Sequence, residues 1–405
     1  MTYHILRIGF VLFIAVLPWS LHAQDRGSVI LISIDGFRND YLEETTCPHL
    51  RRIASEGARA RWMIPVFPTK TFPNHYSIVT GLYVERHGVV GNTMYDPEFD
   101  ALFSMWKREE VVNARWWGGE PIWVTVEKQG HIAATYFWPG SAAAIGGRRP
   151  SYWLPYDGSI PYSNRVNQVL NWLDYPVDKR PVLITLYFEE VDHAGHTYGP
   201  DFAAIDTAVQ MVDFAIGQLL DGLASRSLLD KVNIIVVSDH GMAATHKDRT
   251  IWLDQYIGLD SVRTVDWGPV VSVWAEAHQM ESVFRVLSKA HRNMKVYKKS
   301  DIPERWHYRN HRRVAPITLV ADEGWTIASR GMGFWRDSEA GGNHGYDNQS
   351  PSMRAFFAGR GPAFRPGVVL DPFENVHVYS LIAHLLGLAP AETDGRLQPF
   401  AGGLR

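Results

Sequence analysis

The sequence of 405 residues holds one cysteine, Cys47. No intrachain disulfide can form, and metal sites built on clustered thiolates are excluded. Charge of either sign is balanced: 40 Lys and Arg against 43 Asp and Glu leave a formal net charge of -3. Nothing in that balance draws the chain to nucleic acid or to an anionic membrane, so no stable partner of either kind is expected. Internal repeats, low-complexity tracts and long Pro/Ser linkers are missing. Long apolar runs are scarce too. The first residues carry one, Ile8 to Leu17, behind His4 and Arg7 and ahead of Leu21-His22-Ala23, which reads as an export signal over residues 1–23 cleaved after Ala23. It is short of the roughly 20 residues that span a bilayer, and no later stretch is expected to span one. An exported chain, periplasmic or secreted, is therefore expected to rely on its core and on bound metal rather than on disulfides. Asn348-Gln349-Ser350 matches a glycosylation acceptor, relevant only to a eukaryotic source.

What is present is an ordinary globular composition, 46% hydrophobic and 20% charged, with 15 Trp raising the aromatic share. The length allows two or three domains, but the pattern favours one catalytic domain over 24–405. Apolar runs alternate with segments of helical period, as in parallel strands joined by crossover helices, so the expected class is α/β. Residues 48–57, with Pro48 at the start and Gly57 after the end, predict a short helix. Apolar positions three and four apart (Phe202, Ile205, Val209, Val212, Ile216, Leu219, Leu220, Leu223) predict a long amphipathic helix over 201–224. From about 245 to 335 the pattern loosens, as expected of an inserted smaller subdomain. It contains a basic, aromatic run, Lys295 to Arg313, with two readings: an anion-binding arm, or the more ordinary solvated edge of a small sheet whose bases support fold and solubility.

Metal-ligand side chains stand where apolar runs end. Asp35 follows Val29 to Ile34, Asp239 and His240 follow Val232 to Val237, and Leu183 to Phe188 runs into Asp192, His193 and His196. His344 lies far downstream in Gly341-Gly342-Asn343-His344-Gly345. A strand rigidly holds what emerges from its carboxyl end, and open α/β sheets build their sites there. Asp and His donate to divalent cations at neutral pH without redox liability. Asp192 and His196, four apart on a glycine-containing loop, can meet one ion, and Asp239 and His240 can converge if they sit on a turn. Thr71, before Pro73, is a hydroxyl nucleophile in this setting, or simply a helix cap.

Taken together and in order, Ile34-Asp35-Gly36-Phe37-Arg38, Pro68 to Tyr76, Gly81-Leu82-Tyr83, His87-Gly88, Asn92, Asp192 to His196, Ser238 to Met242 and Gly342 to Gly345 strongly resemble the nucleotide pyrophosphatase/phosphodiesterase family of the alkaline phosphatase superfamily. The resemblance covers essentially the whole mature chain. It implies an alkaline-phosphatase-like sandwich, with a mostly parallel central sheet between helical layers. It also implies two Zn2+ per chain, one held by Asp35, Thr71, Asp239 and His240, the other by Asp192, His196 and His344. Thr71 would be the nucleophile, passing through a phosphothreonine, and Asn92 an amide donor to a nonbridging phosphate oxygen. Phe72 and Tyr156 match aromatics that stack the base in nucleotide-selective relatives, with core packing the competing reading for Tyr156. His193 stands where many relatives have a small residue. The implied substrate is a nucleotide or related phosphodiester, cleaved to a nucleoside 5'-monophosphate. Rival readings are phosphonoacetate-hydrolase-like, phospholipid or choline phosphodiesterase and phosphomonoesterase activities, and, outside catalysis, a periplasmic zinc-binding protein.

Overall fold

The computed structural model describes residues 27–201, 203–331 and 339–405; the export-signal reading and Phe202 lie outside them. Eight strands form the central sheet in the order Val368–Leu370, Ala58–Ala60, Phe357–Arg360, Asn233–Val237, Val29–Ile34, Leu183–Phe188, Ala133–Tyr136, Tyr152–Trp153. Only Phe357–Arg360 runs against the others. The alternation of the strands explains why this sheet is covered on both faces. Val29, Leu31, Ile235 and Val237 pack with the helices Thr71–Thr80, Ile122–Lys128 and His377–Leu386, whereas Ile30, Ile32, Ile34, Ile234 and Val236 pack with Pro48–Ser55, Tyr162–Leu173 and Ala203–Ser225. The result is the expected sandwich.

Both predicted helices form, as Pro48–Ser55 and Ala203–Ser225. They are locked together where Asp213 accepts the His49 and Leu50 N–H groups at 3.1 and 2.7 Å, satisfying donors that a helix start leaves free. The expectation that no later stretch is apolar enough to span a bilayer needs correction, because Ala203–Ser225 is long and apolar enough by composition. Its apolar stripe, Ile205 through Leu223, is buried against the sheet and neighbouring helices, as in the core helix of a globular fold.

Residues 262–321 build a separate antiparallel sheet, ordered Val262–Val265, Val270–Ala275, Ile317–Ala321, Met294–Lys298, with the helix Met280–Leu287 and its own apolar cluster. The basic run is tied down by acids and carbonyls. Arg313 is 4% exposed, donates to Asp96 Oδ2 at 2.6 Å and caps the carbonyls of Gly88 and Trp116 at 2.8 and 2.7 Å. Arg305 pairs with Asp347, and Trp306 stacks on Phe67 at 3.9 Å between centroids. Several of these bases hold the fold together, in keeping with the reading of a small-sheet edge whose bases support the fold, although Arg313 is buried rather than solvated. Asn348 is buried, its amide donating to the Pro65 carbonyl at 3.0 Å, so the apparent glycosylation acceptor faces inward.

Candidate active site

Register decides the site. Ile34 pairs with Phe188 and Ser33 with Val237, so three parallel strands end level and deliver Asp35, Glu189 and Asp239 side by side. Gly36, at φ +68°, then turns away; a Cβ there would lie 2.8 Å from Asp192 Cα. This close approach seats the helix Glu190–Tyr198 on Asp35. Asp192 and His196 therefore sit on one helical face rather than on the expected loop, because the i, i+4 spacing is a helical turn. Asp239 and His240 leave the strand Asn233–Val237 in an irregular turn, as expected.

Two donor groups result. His344 Nε2 lies 3.1 Å from His196 Nε2 and 3.5 Å from Asp192 Oδ1, and His196 Nε2 lies 3.4 Å from Asp192 Oδ2. His240 Nε2 lies 3.0 Å from Asp239 Oδ2, and 3.5 Å from both Asp35 Oδ1 and Thr71 Oγ1. Asp192 stands between the groups, close enough to Asp35 and His240 to share an ion with them. Each imidazole holds a backbone carbonyl through Nδ1 (His344 to Thr69 at 2.8 Å, His196 to Gly342 at 3.0 Å, His240 to Gly241 at 2.9 Å), which turns Nε2 inward as a lone pair.

The donors fit divalent cations on their own chemistry. Asp35 Oδ1, Asp192 Oδ1 and Asp239 Oδ2 are buried without a hydrogen-bond partner. Native interiors rarely leave such atoms unpaired. Burial, with the Asp239 and Asp192 charges, pushes the Asp35 carboxyl well up. Burial opposes ionisation of Asp239 as well, but His240 and His75 outweigh it and hold that carboxyl well down. His344 is driven well below the usual imidazole range by burial and by His240 and His196, which keeps it neutral as a ligand must be. The rings of His240 and His344 stack at 3.6 Å, a poor arrangement for two cations.

Thr71 begins the helix Thr71–Thr80, but Lys70 is its N-cap residue, so Thr71 is not the cap. Asn92 Oδ1 accepts the Phe72 N–H at 2.9 Å, which leaves the amide NH2 as the free end. Thr71, Phe72, Asn92, Tyr156, His193, Asp35, Asp192, His196 and His344 all line one cavity of about 960 Å³. That is the upper range for small-molecule sites. Tyr156 is 59% exposed, which argues against core packing; its ring meets Phe137 at 5.1 Å. Phe72 is buried against Phe103 and Trp117.

Sequence reasoning passed over several supporting groups. Tyr187 donates its hydroxyl to Asp35 Oδ2 at 2.6 Å. Fully buried His75 is hydrogen-bonded to Ser33 Oγ (2.8 Å) and the Thr71 carbonyl (2.9 Å), and its Nδ1 lies 3.3 Å from Asp239 Oδ2. Lys70 and Asp266 also line the cavity. The place of Lys70 and His75 in the Pro68 to Tyr76 stretch around Thr71 is a signal that could have found them; no local signal points to Asp266.

A mostly parallel sheet with carboxylate and imidazole donors gathered at its carboxyl edge defines an alkaline-phosphatase-like α/β protein. The family profile described as Type I phosphodiesterase / nucleotide pyrophosphatase matches residues 29–347. Ectonucleotide pyrophosphatase/phosphodiesterase family member 3 of Rattus norvegicus is 40% identical over 382 residues, 92% of this chain and 43% of the relative. Family member 5 of Homo sapiens is 36% identical over 398 residues, 98% of this chain and 82% of the relative. The bis(5'-adenosyl)-triphosphatase enpp4 of Xenopus laevis is 40% identical over 91% of this chain and 80% of its own. Among solved structures, murine family member 5, in an inactive form with a threonine-to-alanine substitution and in complex with AMP, superposes with a TM-score of 0.88 at 37% identity, over 94% of this chain and 100% of that one. The chain spans less than half the length of the rat relative. It belongs to the nucleotide pyrophosphatase/phosphodiesterase family.

Proposed function

We propose that the protein is a metal-dependent hydrolase of nucleotide phosphodiester or pyrophosphate bonds that releases a nucleoside 5'-monophosphate. The observation that carries this reading is Thr71 Oγ1, 3.5 Å from His240 Nε2 in the cavity shared with both donor groups. Asp35, Thr71, Asp239 and His240 would hold one Zn2+, and Asp192, His196 and His344 the other. When bound, two such cations supply Lewis-acid stabilisation of the attacking and leaving oxygens. Thr71 forms the bond to phosphorus, its oxygen favoured as an anion by the helix start beneath it. The bond to the leaving oxygen breaks, and water hydrolyses the phosphothreonine. The free amide of Asn92 donates to a nonbridging oxygen, and Phe72 and Tyr156 flank the base.

The inactive threonine-to-alanine form of the murine relative, and the AMP bound to it, support the roles of Thr71 and of a nucleotide substrate. The ecto designation of the rat and human relatives supports export. The reading takes the chain as one catalytic unit, with about 245–335 inserted.

The test is a turnover panel on zinc-replete protein: a nucleoside triphosphate, a dinucleotide, a nucleotide sugar, a lysophospholipid and a phosphomonoester. Nucleoside 5'-monophosphate should appear from the first three. Thr71→Ala should keep the fold and metal content while losing several orders of magnitude in kcat, and a variant above about a tenth of the wild-type rate defeats the covalent route.

A further inference from the structure

Lys70, next to Thr71, carries its ammonium into the wall of the cavity, with its side chain only 6% exposed. Nζ stands 2.7 Å from Asp266 Oδ2 and donates to the Asp266 carbonyl at 3.2 Å. Asp266 arrives from the small antiparallel sheet, just after the strand Val262–Val265, and holds φ +65°. The same carboxylate rests on the backbone that presents Asn92. Its Oδ1 accepts the Thr93 N–H at 3.2 Å, and the Asn92 N–H donates to the carboxylate as well. Contact is so close that a Cβ on Gly91 would stand 2.4 Å from Oδ2. One largely buried acid, its side chain 13% exposed, thus joins the nucleophile segment to the amide-donor segment and neutralises the cation beside them. Burial raises the Asp266 carboxyl and Lys70 opposes the rise, the balance of a buried pair.

Charge distinguishes the two phosphate classes. A diester carries one negative charge, which Asn92 can meet with a neutral donor, whereas a monoester or inorganic phosphate near neutral pH is largely a dianion and gains from a free cation. We propose that Asp266 is a specificity-determining residue: by pairing with Lys70 it withholds that cation from the phosphate and disfavours dianionic monoesters relative to diesters. The inference rests on the phosphodiesterase reading above and deepens it. It gives the inserted sheet a task at the reaction centre.

The test compares kcat/KM for a chromogenic nucleotide diester with that for a chromogenic monoester, together with inhibition by inorganic phosphate, on zinc-replete full-length protein. Asn tolerates a left-handed backbone, so Asp266→Asn suits this position, and Asp266→Gly suits it equally if the Asn variant fails to fold. Either variant should lower the diester-to-monoester ratio by at least about tenfold and tighten inhibition by inorganic phosphate. Adding Lys70→Met should return the ratio toward the wild-type value. A ratio unchanged in the single variants overturns the proposal, as does a double variant that keeps the altered ratio. Wild-type protein that hydrolyses no diester would instead overturn the functional reading, whatever Asp266 does.

Discussion

Tyr187→Phe removes one oxygen from a part-buried position against buried Asp35 and leaves the ring in place. The lost hydroxyl donates to Asp35 Oδ2 at 2.6 Å, which fixes the carboxylate so that Oδ1 faces His240 at 3.5 Å. A hydrogen bond to a charged group contributes about 1.5–3 kcal/mol, and the orphaned oxygen stays buried because the ring contacts to His75 (5.3 Å) and Tyr156 (6.2 Å) remain. At 1.4 kcal/mol per factor of ten, this corresponds to roughly a 10- to 100-fold weaker metal site, the same range that outer partners of metal ligands usually contribute. Competition with a calibrated chelator measures the affinity directly, and near-ultraviolet circular dichroism checks that the fold is kept. The weaker-bound ion should be the one next to Asp35, and excess zinc should restore most of the lost turnover. A variant whose zinc affinity stays within about threefold of wild type would refute the idea that Tyr187 orients a ligand.

His344→Ala removes one member of the His196–Asp192–His344 group but leaves Asp35, Asp239 and His240 untouched, so elemental analysis should show one of two ions lost preferentially; equal loss of both would contradict separate sites. Tyr156→Ala, at a half-open aromatic on the cavity wall, should reduce kcat/KM about tenfold on nucleotide diesters and much less on a diester lacking a base, since stacking contributes ~1–3 kcal/mol per base. Burial alone would raise the Asp96 carboxyl, but Arg312 and Arg313 overcome it and hold the pKa near 2, below the ordinary 3.8. The folded value is the lower one, so this acid stabilises the fold above about pH 4, and the contribution is lost as pH falls through about 2. Asp96→Asn should therefore cost about 3 kcal/mol in urea melts at neutral pH, and its deficit against wild type should shrink on acidification.

The apolar runs around Ile32 and Ile235 were legible as buried parallel strands because residues on both faces of a covered sheet are apolar. The long helix was legible because its period is local. The segment bearing Asp192 and His196 was misread as a loop, since its glycine and two histidines are weak helix formers and only packing against Asp35 and the sheet edge decides the matter. The basic run from Lys295 to Arg313 was legible as support for the fold, but not in its partners. Charge density is visible in a sequence, but the acids that neutralise it, Asp96 and Asp347 among them, lie at long separations.

The sequence by itself determined the chemistry of the donors, their order, the hydroxyl beside a helix start and the α/β class, because these follow from residue type and short-range period. Only the tertiary structure decided which groups stand around them: Tyr187 on Asp35 across 152 residues, and Asp266 on Lys70 across 196. Such pairs are set by strand register and by how an inserted sheet docks against the central one. Those are many-body packing outcomes, which no local pattern encodes.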